Sequence, residues 1–150
     1  MTDVIKLIST RGRYALRMMI DLAEHSDEGF IPLKDTAKRQ DISKKYLEQI
    51  IPILNRSGFL QTSRGFGGGY RLIKPAKDYT VWEILNITEG NMAPVACLES
   101  EKNTCPRSNE CATLPVWQGL QNVIYEYLSG ITLQDIIDNQ KNKSGDYYNI

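Results

Sequence analysis

The chain has 150 residues, 41% of them hydrophobic and 24% charged, and its formal net charge is zero at pH 7. This length suits one domain, or a small domain with an attachment, and it suffices to bury a core without disulfide bonds. No apolar run spans a bilayer, no apolar leader is present and the three cysteines are an odd number, so we expect a cytoplasmic protein rather than a secreted or membrane protein.

The first predicted helix covers residues 10–25, where Ser9 or Thr10 can cap it and apolar residues recur at helical spacing. Arg11 and Arg13 lie near its start. Contacts from such side chains to phosphates position a protein on DNA without reading its sequence, and a solvated basic face is the alternative. His25 is expected to cap the helix rather than to serve catalysis or bind a metal, since cations are favoured at a helix end.

Residues 33–39 and 44–57 form two further predicted helices, separated by a turn at Asp41 and Ile42 and with Ser43 as the cap of the second. This spacing is typical of a helix-turn-helix. The third helix has one apolar face, formed by Leu47, Ile50, Ile51 and Leu54.

Two short strands, residues 59–63 and 70–73, are predicted to flank a hairpin tip that begins at Arg64. Four of the five residues 65–69 are glycines, and glycine reaches backbone conformations that other residues avoid. A helix followed by a basic hairpin is the plan of a winged helix-turn-helix, which binds DNA. A surface helix followed by an ordinary hairpin is the alternative.

The second half of the chain predicts three more helices. Thr80 and Glu83 form a capping box for a helix that ends near Gly90. Residues 116–128 form a helix whose apolar side needs a partner, and a short last helix is predicted to end at Ile137. The polar residues 139–150 are predicted to form a flexible tail.

Residues 91–113 are predicted to form a loop, and they contain all three cysteines: Cys97, Cys105 and Cys111. Thiolates on a loop can bind a soft metal centre, and iron–sulfur clusters are held mainly by cysteine. A zinc site would more often contain two cysteines separated by two residues. From the residues alone, a cluster, a redox-active thiol pair and inert cysteines all remain open.

The charge is divided between the two halves. Residues 1–80 contain 14 Lys and Arg against 9 Asp and Glu, and residues 81–150 contain 4 against 9. The first half therefore suits an anionic partner. The sequence predicts a mainly α-helical protein with a small β-hairpin wing: a winged helix-turn-helix (1–80), an effector loop with a long C-terminal dimerisation helix (81–138) and a tail (139–150). It contains no catalytic constellation, and we expect no enzyme.

Three motifs follow one another along the chain: residues 9–17 (STRGRYALR), 46–50 (YLEQI) and 64–70 (RGFGGGY). Together they resemble the Rrf-two family of bacterial winged-helix transcription regulators, which includes IscR-, NsrR- and CymR-like members. The resemblance implies a homodimeric, sequence-specific repressor of transcription, with residues 116–128 crossing between subunits. Glu48 and Arg64 match positions that touch bases in IscR-like members. The residues expected at double-stranded DNA are Ser43, Lys44, Lys45, Tyr46, Glu48, Gln49, Arg64, Gly67, Gly68, Tyr70, Arg11 and Arg13.

The resemblance also implies that the three cysteines hold an iron–sulfur cluster, expected to be 2Fe-2S, which would sense iron–sulfur or redox status. The histidine that completes the cluster in IscR-like members is Leu114 here, and the acidic residue used by NsrR-like members is Arg13. The fourth ligand is therefore unassigned. Its candidates are Glu99, Glu110, an N-terminal residue or a small molecule.

CymR-like members imply an alternative, because they bind no cluster and respond to a partner enzyme, cysteine synthase. That enzyme accepts peptides that end in isoleucine, and this chain ends in Asn149 and Ile150. The alternative function is a cluster-free regulator of cysteine and sulfur metabolism that binds the enzyme through its tail.

Overall fold

A computed structural model describes residues 8–148, with side chains described up to residue 143. The described range contains six α-helices and one antiparallel two-stranded sheet. In chain order the elements are α1 (Thr10–Glu24), α2 (Leu33–Gln40), α3 (Lys44–Arg56), β1 (Leu60–Ser63), β2 (Gly69–Leu72), α4 (Val81–Glu89), α5 (Leu114–Ser129) and α6 (Leu133–Tyr148). The predicted class, mainly α-helical with one small β-hairpin, is confirmed. Within this range no helix is both long and apolar enough to cross a membrane.

Helix α1 lies in the middle of the core and packs against α2, α3, α4 and α6. The side chains of Met18 and Met19 are fully buried, as are those of Leu47 and Leu54 on the facing side of α3. Burying one such side chain stabilises the fold by about 1.5–3 kcal/mol. The predicted apolar faces of α1 and α3 are therefore the two main surfaces of the core.

The two strands form a hairpin, which we call the wing (residues 60–72), with Leu60 opposite Leu72 and Ser63 opposite Gly69. The wing is tied to the helices on its other edge, where the N–H groups of Ile31 and Tyr70 each donate to the other residue's carbonyl at 2.9 Å. A Cβ atom on Gly69 would collide with the carbonyl of Ile31. Glycine is needed at position 69 because the two backbones approach so closely.

Tyr79, whose side chain is completely buried, fastens the base of the wing. Its hydroxyl donates to the carbonyl of Phe59 (2.9 Å) and accepts from the N–H groups of Ile73 (3.2 Å) and Lys74 (3.0 Å). A buried tyrosine hydroxyl needs such partners. These three bonds join the strands to the segment that leads into α4.

Helix α4 begins with the predicted capping box, in which Thr80 and Glu83 exchange hydrogen bonds between side chain and backbone. Its last residue, Glu89, reaches the start of α1, where its carboxylate accepts from Ser9 N (3.0 Å) and Ser9 Oγ (2.8 Å). A side chain on Gly12 would collide with this carboxylate. The end of α4 is thus joined to the start of α1, across eighty positions of sequence.

The predicted end of the last helix at Ile137 is wrong, because α6 continues to Tyr148. Among the side chains described in α6, Ile137 is the last that is buried, and residues 138–143 are exposed. Gln140, Lys141 and Lys143 are good helix formers, so the helix can extend into solvent without apolar contacts. Residues 139–148 therefore belong to α6, and the flexibility of the tail stays a prediction. Asn149 and Ile150 lie outside the described residues, as do residues 1–7. The division of the chain at residues 80 and 138 stays a prediction.

Candidate nucleic-acid interface and cysteine loop

Helix α3 and the wing face each other across an open groove of about 730 Å³, which we call the wing groove. Its lining residues are Pro32, Leu33, Lys34, Lys44, Glu48, Asn55, Thr62, Ser63, Arg64, Gly65, Gly68, Gly69 and Tyr70. Five of the residues predicted at DNA are brought together here: Lys44, Glu48, Arg64, Gly68 and Tyr70. The helix and the hairpin that the sequence predicted as a DNA-binding unit thus form one concave surface.

The charges in the wing groove favour an anionic partner. Lys34, Lys44 and Arg64 are exposed cations in it, and Glu48 is its only carboxylate. Lys34 was missed by sequence reasoning, which considered α3 and the wing but not the start of α2. Its position directly after Pro32 and Leu33, at the first turn of a helix beside the wing, is the signal that could have identified it.

Two residues predicted at DNA also have structural roles at the start of α3. The Ser43 hydroxyl accepts from Tyr46 N at 3.0 Å and so caps the helix, as predicted. The Tyr46 ring is half-buried and packs edge-on against Tyr14, with ring centroids 5.3 Å apart. Lys45 and Gln49 are exposed on α3 beside the wing groove but do not line it.

Arg11 and Arg13 are exposed on the first turn of α1 and lie outside the residues that line the wing groove. The Arg13 guanidinium donates to Thr10 Oγ1 at 3.2 Å. Gly67 lies at the tip of the wing with φ of +75° and also does not line the groove. The predicted DNA-binding set is thus divided between the groove and its surroundings.

Asp21 joins α1 to α2 and was also missed by sequence reasoning. It is 1% exposed and accepts hydrogen bonds from Thr36 Oγ1 (3.1 Å), Gln40 Nε2 (3.1 Å) and Arg39, whose Nε and Nη2 lie at 3.0 and 2.8 Å. Burial by itself raises the pKa of Asp21, but these hydrogen bonds and the charge of Arg39 outweigh burial and lower the pKa below its ordinary value. The position of Asp21 among the apolar residues of the buried face of α1 is the sequence signal that could have identified it.

The three cysteines are free thiols of intermediate exposure. Cys105 and Cys111 line one cavity of about 370 Å³ together with Arg107 and Glu110, whereas Cys97 lies outside that cavity on a 3-10 turn (Ala96–Leu98). Among the side chains described in residues 8–143, no three His, Cys, Asp or Glu are grouped closely enough to hold a metal ion. Three thiols are suitable donors for an iron–sulfur cluster. The positions of the three cysteines do not fit one, because Cys97 lies apart from Cys105 and Cys111.

Two polar side chains of the same loop, Cys111 and Asn103, have unusual surroundings. A hydrogen bond with Thr113 Oγ1 (3.4 Å), helped by the backbone N–H of Thr113, lowers the pKa of the Cys111 thiol below its ordinary value. The Asn103 side chain accepts from Cys105 N at 2.9 Å, while its buried Nδ2 has no hydrogen-bond partner among the described residues. An unpaired buried donor is costly in free energy, so this part of the loop is not fully satisfied.

Helix α5 has two apolar sides. Ile124 and Leu128 pack towards Val81 and Leu85 of the same chain. The other side leaves four residues exposed at spacings of four, three and four: Val116 (59%), Leu120 (43%), Val123 (61%) and Tyr127 (67%). We call these four residues the α5 stripe. Such spacing is typical of a helix that packs along another helix.

A model of the Rrf2 family, described as iron-dependent transcriptional regulators, matches residues 8–139. The chain belongs to the Rrf2 family. It is 38% identical over 130 residues to protein rrf2 of Nitratidesulfovibrio vulgaris, a match that covers 87% of this chain and 86% of that protein.

Two solved structures have a similar fold. The structure of IscR from T. potens is 34% identical with a TM-score of 0.71, and the match covers 91% of this chain and 89% of that one. The structure of CymR, the global cysteine regulator of B. subtilis, is 34% identical with a TM-score of 0.72, covering 91% and 98%. The predicted family and winged-helix fold are confirmed. The chain is a DNA-binding transcriptional regulator of the Rrf2 family, similar to IscR and CymR, and its relatives are regulators rather than enzymes.

Proposed function

We propose that this chain is a dimeric, sequence-specific repressor that responds to iron–sulfur or redox status through the loop of residues 91–113. The observation that supports DNA recognition most strongly is the wing groove, whose described lining contains three cations from separate elements and one carboxylate. In this proposal α3 enters the major groove by its N-terminal half, as recognition helices do. The tip of the wing enters the neighbouring groove.

The side chains in and beside the wing groove divide into two classes by chemistry. Lys34, Lys44 and Lys45 meet phosphates, contacts that supply affinity and release counterions. Glu48 and Arg64 meet base edges, because a carboxylate accepts from the cytosine amino group and a guanidinium donates to both acceptors of guanine. Arg11 and Arg13 meet phosphates outside the groove.

The separation of these classes can be tested on duplexes that the wild-type protein enriches from a random-sequence library. Arg64→Ala is expected to lose about 1–3 kcal/mol on the enriched duplex and to relax specificity at one base pair. Lys45→Ala is expected to weaken enriched and random duplexes alike and to lower the slope of log K against log salt by about one. Fluorescence anisotropy at several salt concentrations measures both effects.

The matched control is Lys102→Ala, which removes one exposed cation from the effector loop, outside the wing groove. It is expected to bind both duplexes like the wild type. Unchanged DNA binding in the Arg64→Ala, Lys45→Ala double variant would contradict the assignment of α3 and the wing as the interface.

The dimer of this proposal forms through the α5 stripe. These side chains have no partner within the described part of the chain, and α5 is 16 residues long, about 24 Å. Two copies of the helix packed side by side would bury the stripe of both. Because a two-fold axis pairs like surfaces, a single stripe suffices for a closed dimer.

The sensing part of the proposal is a 2Fe-2S cluster held by Cys97, Cys105 and Cys111. The support is the donor set: three free thiols on one irregular loop, two of them already in one cavity. Glu110 lines that cavity and is the best-placed candidate for a fourth ligand, whereas Glu99 lies elsewhere, beside α5. Cys97 must move before the three thiols can bind one cluster, because it lies outside the cavity that Cys105 and Cys111 share.

The cluster can be tested by anaerobic reconstitution, with iron, sulfide and visible absorbance measured on wild type and on each Cys→Ala variant. We expect a coloured wild type and loss of iron and sulfide in each variant, because every thiolate is a ligand. Ser108→Ala, a conservative change in the same loop, is the control and should keep the cluster. A colourless wild type, or a Cys105→Ala variant with full iron and sulfide, would rule the three-cysteine site out.

The similarity to CymR, the global cysteine regulator of B. subtilis, favours a second candidate function. In that case the chain binds no cluster and is controlled by cysteine synthase, which would bind Asn149 and Ile150. A colourless protein that binds purified cysteine synthase, and that loses this binding when the two residues are deleted, would favour this function over the first.

A further inference from the structure

Phe66 lies at the tip of the wing with its side chain fully exposed, at 110% of the reference area. Among the described residues, the other exposed large apolar side chains are 43–67% exposed, and all but Ile73 belong to α5. Within the described part of the chain, Phe66 therefore contributes no packing. A single exposed apolar residue is common on protein surfaces. Exposure alone therefore does not assign a function to Phe66, whereas its position on the wing and the backbone geometry of the tip are informative.

The shape of the tip does not depend on Phe66. Gly65 and Gly67 adopt φ of +89° and +75°, which only glycine takes up readily, and Gly68 N donates to Gly65 O at 3.0 Å. Phe66 is not among the residues with positive φ. Any residue could occupy position 66 without changing the turn, so the backbone does not explain an aromatic side chain here.

The hairpin that carries Phe66 is anchored at two places. Ile31 pairs with Tyr70 through two hydrogen bonds along one edge of the wing, and Tyr79 fastens its base with three more. Little flexibility has to be lost when an anchored hairpin meets a partner. Phe66 is thus carried by a hairpin that is anchored along one edge and at its base.

Phe66 follows Arg64 by two residues, and both Gly65 and Gly68 line the wing groove. We propose that Phe66 is a wedge that inserts between stacked base pairs of the operator, next to the base pair contacted by Arg64. The inference rests on the proposed function, because it needs the wing at DNA. Phenylalanine wedges in other DNA-binding proteins partly unstack one base step and bend the duplex.

The wedge adds a specificity that needs no hydrogen bond to a base. Unstacking is easiest at the flexible pyrimidine–purine steps TA and CA, so a wedge selects such a step through its deformability. The wing then recognises two features of its site: a base edge through Arg64 and a deformable step through Phe66.

The test uses the duplex enriched by the wild-type protein, with 2-aminopurine placed in turn at each position near the wing. Wild type is expected to raise the fluorescence at one step, because unstacked 2-aminopurine emits more strongly. Phe66→Ala is expected to abolish this rise and to weaken binding at least about fivefold, the lower end for loss of base–aromatic stacking. Replacing the selected step by GC should weaken wild type but not Phe66→Ala. Ile73→Ala, exposed at the other end of the hairpin, is the control and should behave like wild type.

Equal affinity and equal fluorescence for Phe66→Ala and wild type, with weaker binding by Arg64→Ala, would overturn the wedge and leave the proposed interface standing. Weaker binding by Phe66→Ala without any change in stacking would also overturn it, because a surface contact would then account for the loss. If Arg64→Ala binds like wild type, the wing is not at the DNA and the proposed interface itself fails.

Discussion

Replacing Leu120 and Val123 by Asp is expected to convert the protein into monomers. Both side chains belong to the α5 stripe and are exposed within one chain, so the change should leave the fold of the chain intact. In a dimer, four carboxylates would be buried in an apolar helix pair, which is strongly unfavourable without partners. Light scattering should give the 17.1 kDa mass of one chain for the variant and twice that mass for wild type at micromolar concentration.

The affinity of the same variant for a duplex with two half-sites is expected to fall on the order of 100-fold or more. In a dimer, binding of one winged helix-turn-helix raises the effective concentration of the other at the second half-site, and monomers lose this gain. The matched control is the double variant Gln118→Asp, Asn122→Asp, which adds the same two charges to exposed polar positions of α5. It should remain dimeric and bind DNA normally. A wild type that is monomeric at micromolar concentration would refute the role of the stripe.

Asp21→Asn is expected to cause the largest loss of stability, about 3 kcal/mol. The substitution removes the buried negative charge that pairs with Arg39. Breaking a buried ion pair costs about 3–5 kcal/mol, and the lower value applies here because the Arg39 side chain is 33% exposed. For a chain of this size the midpoint of thermal unfolding should fall by about 10 °C. Thermal unfolding followed by circular dichroism measures the change, and Glu24→Gln, at an exposed carboxylate of α1, is the control.

The pH dependence of this loss follows from the lowered pKa of Asp21. A carboxylate whose pKa is lower in the folded state contributes stability above its unfolded pKa, near 4, and that stability is lost as the pH falls through the folded pKa. The stability difference between wild type and Asp21→Asn should therefore be constant at neutral pH and shrink in acid. A difference that persists unchanged in acid would show that the ionised form of Asp21 is not what stabilises the pair.

Most helix and strand positions could be predicted because their signals are local. Ser43 caps α3 and Thr80 with Glu83 caps α4, each within a few residues of sequence. The glycines of the wing mark the hairpin in the same way. The end of α6 was not predictable from polarity, because a polar segment of good helix formers remains helical once the preceding turns are anchored.

The cysteine loop and α5 show where sequence reasoning stops. The sequence places three thiols within fifteen positions, yet it does not say that Cys105 and Cys111 share a cavity while Cys97 lies apart. It also treats Ile124 and Leu120 alike, as members of one apolar helix face. Only the packing of α5 on α4 shows that Ile124 is used within the chain and that Leu120 stays exposed.

By itself the sequence determined the helix-turn-helix, the basic glycine-rich wing and the loop that carries every cysteine, because caps, glycines and apolar periodicity act over a few residues. Tertiary structure alone decided which distant groups meet. It joins Asp21 to Arg39, places Lys34 in the same groove as Arg64 and sets Glu89 on the start of α1. These contacts depend on how whole helices pack against one another, and the angles between helices are set by the side chains of both partners together.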